Sequence, residues 1–140
     1  MQPLPSAVSP LVVRTDFTDP ATWRAVRLAI VAPVRDHGYE FYANVEFLDN
    51  QSYQGMTAAQ LLDLARARYG HPFLVLADDL TMRSVDHPLL VIAAGGAEHG
   101  RAFRAVPTAI QGIENNLSIA NMDFREFADA VGHDGIFRGF

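Results

Sequence analysis

The sequence predicts an α/β fold: a mixed sheet of about five strands, in which a parallel βαβαβ half is followed by a β-hairpin, with packed helices and a helical C-terminal segment. Three observations predict it. Phe73–Ala77 is an unbroken apolar run of strand length, the pattern of a strand buried on both faces. Upstream of it strand and helix patterns alternate, the order of parallel strands joined by crossovers. Downstream, Leu89–Ala93 and Ala102–Val106 are separated by the glycine-rich GGAEHG, which reads as a hairpin connection.

In chain order, residues 1–9 are rich in Pro and Ser and are expected to form a flexible tail, with one α/β domain over 10–140. Leu11–Val13 opens the first strand, with Asp16 at its exit. Asp19 is a good N-cap and Pro20 a good first helical residue. Trp23, Val26 and Ile30 then form one stripe at helical spacing. Leu28 and Val31 lie off it, which suggests cover on a second side, and Pro33 ends the helix. Tyr39–Leu48 alternates, with Tyr39, Phe41, Ala43, Val45 and Phe47 expected to face inward. Thr57 and Gln60 form a capping box for the next helix, whose buried face is Leu61, Leu62, Ala65 and Tyr69. After the hairpin, Ile110, Ile113 and Leu117 keep a helical period. Asp123 and Glu126 resemble a second capping box, before a short helix carrying Phe124, Phe127 and Val131. The closing IFRGF is apolar enough to pack back onto the domain.

Composition limits the chemistry. The 140 residues contain no cysteine, so disulfides, thiolate zinc sites and a cysteine nucleophile are excluded. All 11 basic residues are arginine. No lysine can form a Schiff base, serve a P-loop or complete a receiver-type phosphotransfer site. A net charge of −5 disfavours generic binding to nucleic acid or anionic lipid. No basic segment followed by an apolar one opens the chain, and no apolar run reaches the ~20 residues that span a membrane. The expectation is a soluble cytoplasmic protein without a cofactor.

Acids stand at the ends of the three predicted parallel strands: Asp16, then Glu46 or Asp49, then Asp78 and Asp79. In an open α/β sheet ligands sit beyond the carboxyl ends of the strands. Asp16, Asp78 and Asp79 are therefore the catalytic candidates and, alternatively, oxygen ligands for Mg²⁺. The competing reading is that Asp simply favours helix caps and turns. GGAEHG lacks the helix that a phosphate loop needs after it. The five histidines show no zincin spacing and no pairing with a serine elbow. Arg101 and Arg104 flank Phe103, but residues three apart in a strand face opposite ways, so they form no nucleic-acid patch. The segment Glu114–Asp123 interleaves amides, acids and apolar residues. Asn115, Asn116, Asn121 and Asp123, with Arg104, are the binding candidates, against the plainer reading that these side chains satisfy irregular backbone.

LVVRTDFTDPATW near the start, HPFLVLADDLT in the middle and ENNLSIANMDFREFADAVGHDGIFRGF at the end together resemble a family of short bacterial proteins known only as a domain of unknown function. The resemblance runs from Leu11 to Phe140, the closing block being its most specific part. It implies a stand-alone bacterial protein and carries no substrate, cofactor or active-site residue. Small size, acidity and the lack of a nucleophile motif favour a non-catalytic protein-interaction or regulatory module of the inhibitor or immunity type. The alternative is a small enzyme or small-ligand binder using the acidic strand ends. Whether the protein is an enzyme stays open at this point.

Overall fold

The computed structural model describes residues 4–66 and 68–140. Residues 1–3 of the expected tail lie outside the described residues. The elements are β1 (Leu11–Arg14), α1 (Pro20–Val31), β2 (Val34–Asp36), β3 (Tyr39–Phe41), β4 (Glu46–Leu48), α2 (Ala58–Ala65), β5 (Phe73–Ala77), α3 (Asp79–Arg83), β6 (Leu89–Ala93), β7 (Ala102–Ala105), α4 (Ile110–Ser118), α5 (Phe124–Ala128) and β8 (Ile136–Phe137). Single 3-10 turns at Gln51–Tyr53 and Pro107–Ala109 complete it.

Six strands form one mixed sheet in the order β4-β1-β5-β6-β7-β8. β4, β1 and β5 are mutually parallel, as expected. β6 reverses, β7 returns antiparallel to β6, and β8 joins β7 in parallel. Five strands therefore leave the sheet at one edge, and only β6 enters there. β5 is buried at every residue, because helices cover both of its faces. Val12, Phe73, Val75, Val91, Phe103 and Ala105 face α1, α4 and α5. Leu11, Val13, Leu74, Leu76 and Ile92 face α2 and the turn around Tyr53. Removing such side chains from water stabilises the fold by about 1.5–3 kcal/mol each.

The predicted helix starts are all used. Asp19 accepts from the Thr22 amide, Thr57 and Gln60 close a capping box, and Asp123 pairs with Glu126. Trp23, Val26 and Ile30 are α1's buried residues, whereas Leu28 and Val31 are exposed, so α1 is covered on one side only. The chain end also packs back. Ile136–Phe137 is an edge strand, and Phe137 meets Phe103, Phe127 and Phe140 at ring-centroid distances of 5.1–6.3 Å.

Two further expectations are corrected. Tyr39–Leu48 is not one strand. Tyr39–Phe41 pairs antiparallel with Val34–Asp36 in a separate two-stranded sheet, and only Glu46–Leu48 reaches the main sheet. The cause is the turn His37-Gly38, whose φ values of 51° and 83° give the two left-handed positions of a type I′ hairpin. Tyr39 and Phe41 are consequently exposed, although Ala43, Val45 and Phe47 still pack on the core. The expected tail is also anchored from residue 4: Leu4 is fully buried, and its amide donates to the Leu64 carbonyl at 3.2 Å. Among the described residues no helix is long and apolar enough to cross a membrane.

Candidate functional site

The exits of β1 and β5 lie side by side at the carboxyl edge of the sheet. A cleft of about 490 Å³ opens there. Its lining includes Thr15, Asp16, Phe17 and Thr18 after β1, Gln54–Ala58 before and at the start of α2, and Asp78 and Asp79 after β5. Leu76, Leu90 and Met56 supply apolar surface. Asp16, Asp78 and Asp79 thus reach one cleft at the carboxyl edge, where α/β folds hold ligands.

The three carboxylates are not equivalent. Asp78 is committed to the scaffold. Its Oδ1 accepts from the Thr81 amide at 3.1 Å, which caps α3. The same carboxylate receives Arg104 Nη1 at 2.8 Å on Oδ1 and Nη2 at 2.7 Å on Oδ2, a fork-on-fork pair. Arg104 Nη1 also donates to the Pro88 carbonyl, as does the buried Thr81 hydroxyl. Burial pushes the Asp78 pKa up, but the Arg104 and Thr81 hydrogen bonds outweigh it and hold the carboxyl below its ordinary value. A base needs a free lone pair and a proton affinity near the working pH. Asp78 has neither.

Asp16 turns Oδ1 toward the Thr18 amide and hydroxyl at 2.8 and 2.6 Å. Asp79 is exposed and touches Arg83 at 3.6 Å. Among the described residues no three or more of His, Asp and Glu come close enough together to hold a metal ion. Asp16, Asp78 and Asp79 share a cleft without forming such a group, and Asp78 is engaged by Arg104 and Thr81. Glu46 starts β4 and so lies at the opposite edge, accepting from the Val8 amide. Asp49 does stand at the β4 exit, but it faces Arg14 and Trp23 in a second cleft against α1.

Of the other sequence candidates, Arg104 joins Asp78 and the rest lie elsewhere. Asn115 donates to the Tyr42 carbonyl and to Glu114. Asn116 donates to the Gly112 carbonyl and receives Asn121, while the backbone amides of Asn121 and Met122 close onto the Asn116 carbonyl. This knot ends α4, with Ala120 in the left-handed region at φ 56°. Asp123 opens α5 and lines a separate 370 Å³ cleft with the GGAE loop, at the far edge of the sheet. Glu114, only 3 % exposed, is a further polar anchor, whose Oε1 accepts from the Asn44 amide and side chain. It clamps the β3–β4 connection to α4. Nothing local marks it, because its partner is 70 residues away.

A family model described as Domain of unknown function (DUF6924) matches residues 9–140. No curated protein matches the chain.

Proposed function

The chain belongs to that family, whose description assigns no activity, and from the geometry we propose a non-catalytic binding module that takes a small ligand in the carboxyl-edge cleft. One observation carries the reading: hydrogen-bond acceptors and apolar surface converge there from two adjacent parallel strands and the start of α2. The acceptors at the rim are Asp16, whose Oδ2 receives no hydrogen bond among the described residues, and the exposed Asp79. Leu76, Leu90 and Met56 would cover a hydrocarbon body. The complementary ligand is a small molecule with an ammonium or similar N–H donor on an apolar frame. Catalysis is disfavoured because the cleft lining supplies no histidine, and its most buried acid is locked to Arg104. The test is amide chemical-shift mapping with a panel of alkyl and aryl amines against matched carboxylic acids. Shifts confined to Thr15–Thr18 and Gly55–Ala58, and lost in Asp16→Asn, are expected. Amine-induced shifts that miss these segments would remove the reading.

A second reading, binding of a protein partner, rests on β2–β3. Tyr39 is 71 % exposed, Tyr42 50 % and Phe41 40 %, and among the described residues neither outer edge of this two-stranded sheet pairs with another strand. Aromatic side chains on an uncovered hairpin suit protein recognition. A partner recovered from native lysate by the wild type and by Asp16→Asn, but not by Tyr39→Ser with Tyr42→Ser, would favour it over the first.

A further inference from the structure

The opposite side of the β1 exit holds a different chemistry. Arg14, Pro20, Trp23, Arg24, Arg27, Leu28 and Asp49 line a cleft of about 470 Å³ between the ends of β1 and β4 and the first turns of α1. Three guanidiniums face one carboxylate. We propose that this cleft is a binding site for a phosphoryl dianion, either free inorganic phosphate or diphosphate or the phosphate of a small ester. The proposal is independent of the ligand assigned to the acidic cleft.

The arginines are held in different ways. Arg14 is only 7 % exposed, with Nε on the Asp16 carbonyl at 3.1 Å and Nη1 on Asp49 at 3.2 Å. Its guanidinium carbon lies 4.3 Å from the Phe17 ring centroid and 5.4 Å from that of Trp23. Arg27 lies over Phe47 at 4.5 Å and Trp23 at 5.8 Å, and reaches Asp49 only at 4.0 Å. Stacking on aromatic faces fixes a guanidinium plane and leaves its in-plane N–H edge for an anion. Arg24 stands one turn before Arg27 on α1, is exposed, and makes no hydrogen bond or ion pair among the described residues. Asp49 also receives Trp23 Nε1 at 3.1 Å, so the one acid present is already occupied in orienting the cleft.

Charge decides the ligand class. A monocarboxylate would be over-matched by three guanidiniums, whereas a dianion together with Asp49 balances them. The first turn of α1 carries no acid, but its N-cap Asp19 already occupies the amide end, so the positive potential of the cleft comes from the arginines themselves. Asp19, the N-cap, directs its carboxylate to the Thr22 amide and hydroxyl. In a protein of net charge −5, a local surplus of arginine without matching acids calls for an external partner.

Trp23 is the only tryptophan in the chain, so its emission reads this cleft directly. The full-length protein is titrated at constant ionic strength with inorganic phosphate, diphosphate, glycerol phosphate and, as a monoanion control, acetate. A saturable change is expected with at least one phosphoryl probe and not with acetate, and the tightest probe identifies the source of the phosphoryl group. Arg24→Gln and Arg27→Gln, both on exposed positions of α1, should each weaken binding about tenfold, the worth of one charge-assisted contact. Unchanged thermal midpoints would show that the variants fold. No saturable change up to ~10 mM, an equal response to acetate, or wild-type affinity in the double variant would overturn the proposal.

Discussion

Two clefts flank the exit of β1, and they differ in where their charge goes. On the α2 side, the most buried acid, Asp78, is spent on the scaffold: it caps α3 and holds Arg104 in a bidentate pair. On the α1 side, the scaffold uses one carboxylate, Asp49, to hold Arg14 and Trp23, with Arg27 at the 4.0 Å limit of the same acid and Arg24 without an ion pair among the described residues. The acid side was conspicuous in the sequence because three of its carboxylates, Asp16, Asp78 and Asp79, follow strand ends. Conspicuous acids, however, are the residues that caps and turns consume first. Unmatched charge is a better guide to a ligand than charge itself.

Breaking the Asp78–Arg104 pair should have the largest effect. Asp78→Ala removes the α3 cap and leaves a mostly buried guanidinium without its partner, so it should cost about 2–4 kcal/mol of unfolding free energy. Urea denaturation would measure it, and a loss below ~1 kcal/mol would contradict the scaffold role. The pH dependence follows from the same pair. The folded-state pKa of Asp78 lies below its unfolded value. Its contribution is therefore fully present above the unfolded carboxylate range, near pH 4, and is lost as the pH falls through the lower folded value. Asp78→Asn should flatten that acid limb of the stability profile.

Asp49→Asn sharpens the other half of the comparison. The amide can still accept from Trp23 Nε1, but the charge opposite Arg14 is gone. Stability should fall by about 1 kcal/mol, while affinity for phosphoryl probes rises about fivefold as competition for the arginines is removed. Tryptophan emission during unfolding and during ligand titration gives both values on one sample. A drop in affinity would mean that Asp49 itself belongs to the ligand contact.

These contrasts explain what could be read from the sequence. Local chemistry was legible. The apolar run Phe73–Ala77, the caps at Asp19, Thr57 and Asp123, and the stripe Trp23–Val26–Ile30 each involve neighbours within a few residues, so periodicity and capping rules expose them. The corrected hairpin was also marked, by His37-Gly38 between two short strands, but the alternation through Tyr39–Leu48 masked it. β8 has two residues, too few for any period. The pairs that decide the clefts are distant in the chain: Arg14 with Asp49 across 35 residues, Asp78 with Arg104 across 26, Asn44 with Glu114 across 70. Strand order β4-β1-β5 creates the first of these, and no local pattern encodes strand order. The arginine cleft had a faint signal in Trp23-Arg24 and Arg27, one helical turn apart behind Arg14.

The smallest expected effects concern the rim of the acidic cleft, where the comparison could fail. Asp16→Asn should change stability by less than ~0.5 kcal/mol, since Thr18 can still be accepted by the amide oxygen. Arg83→Gln removes the 3.6 Å contact to Asp79 between two exposed side chains, worth about 0.2–0.5 kcal/mol at most. Their value lies in binding. If Asp16 and Asp79 are the acceptors that remain open to a ligand, Asp16→Asn should abolish amine-induced shifts and Arg83→Gln should strengthen them, because Asp79 no longer has an internal cation. Opposite binding effects from two changes that barely move stability would separate these rim carboxylates from Asp78. Two unaltered binding curves would mean that the acids here are scaffold throughout, leaving the arginine side as the one of these two clefts with capacity for a partner.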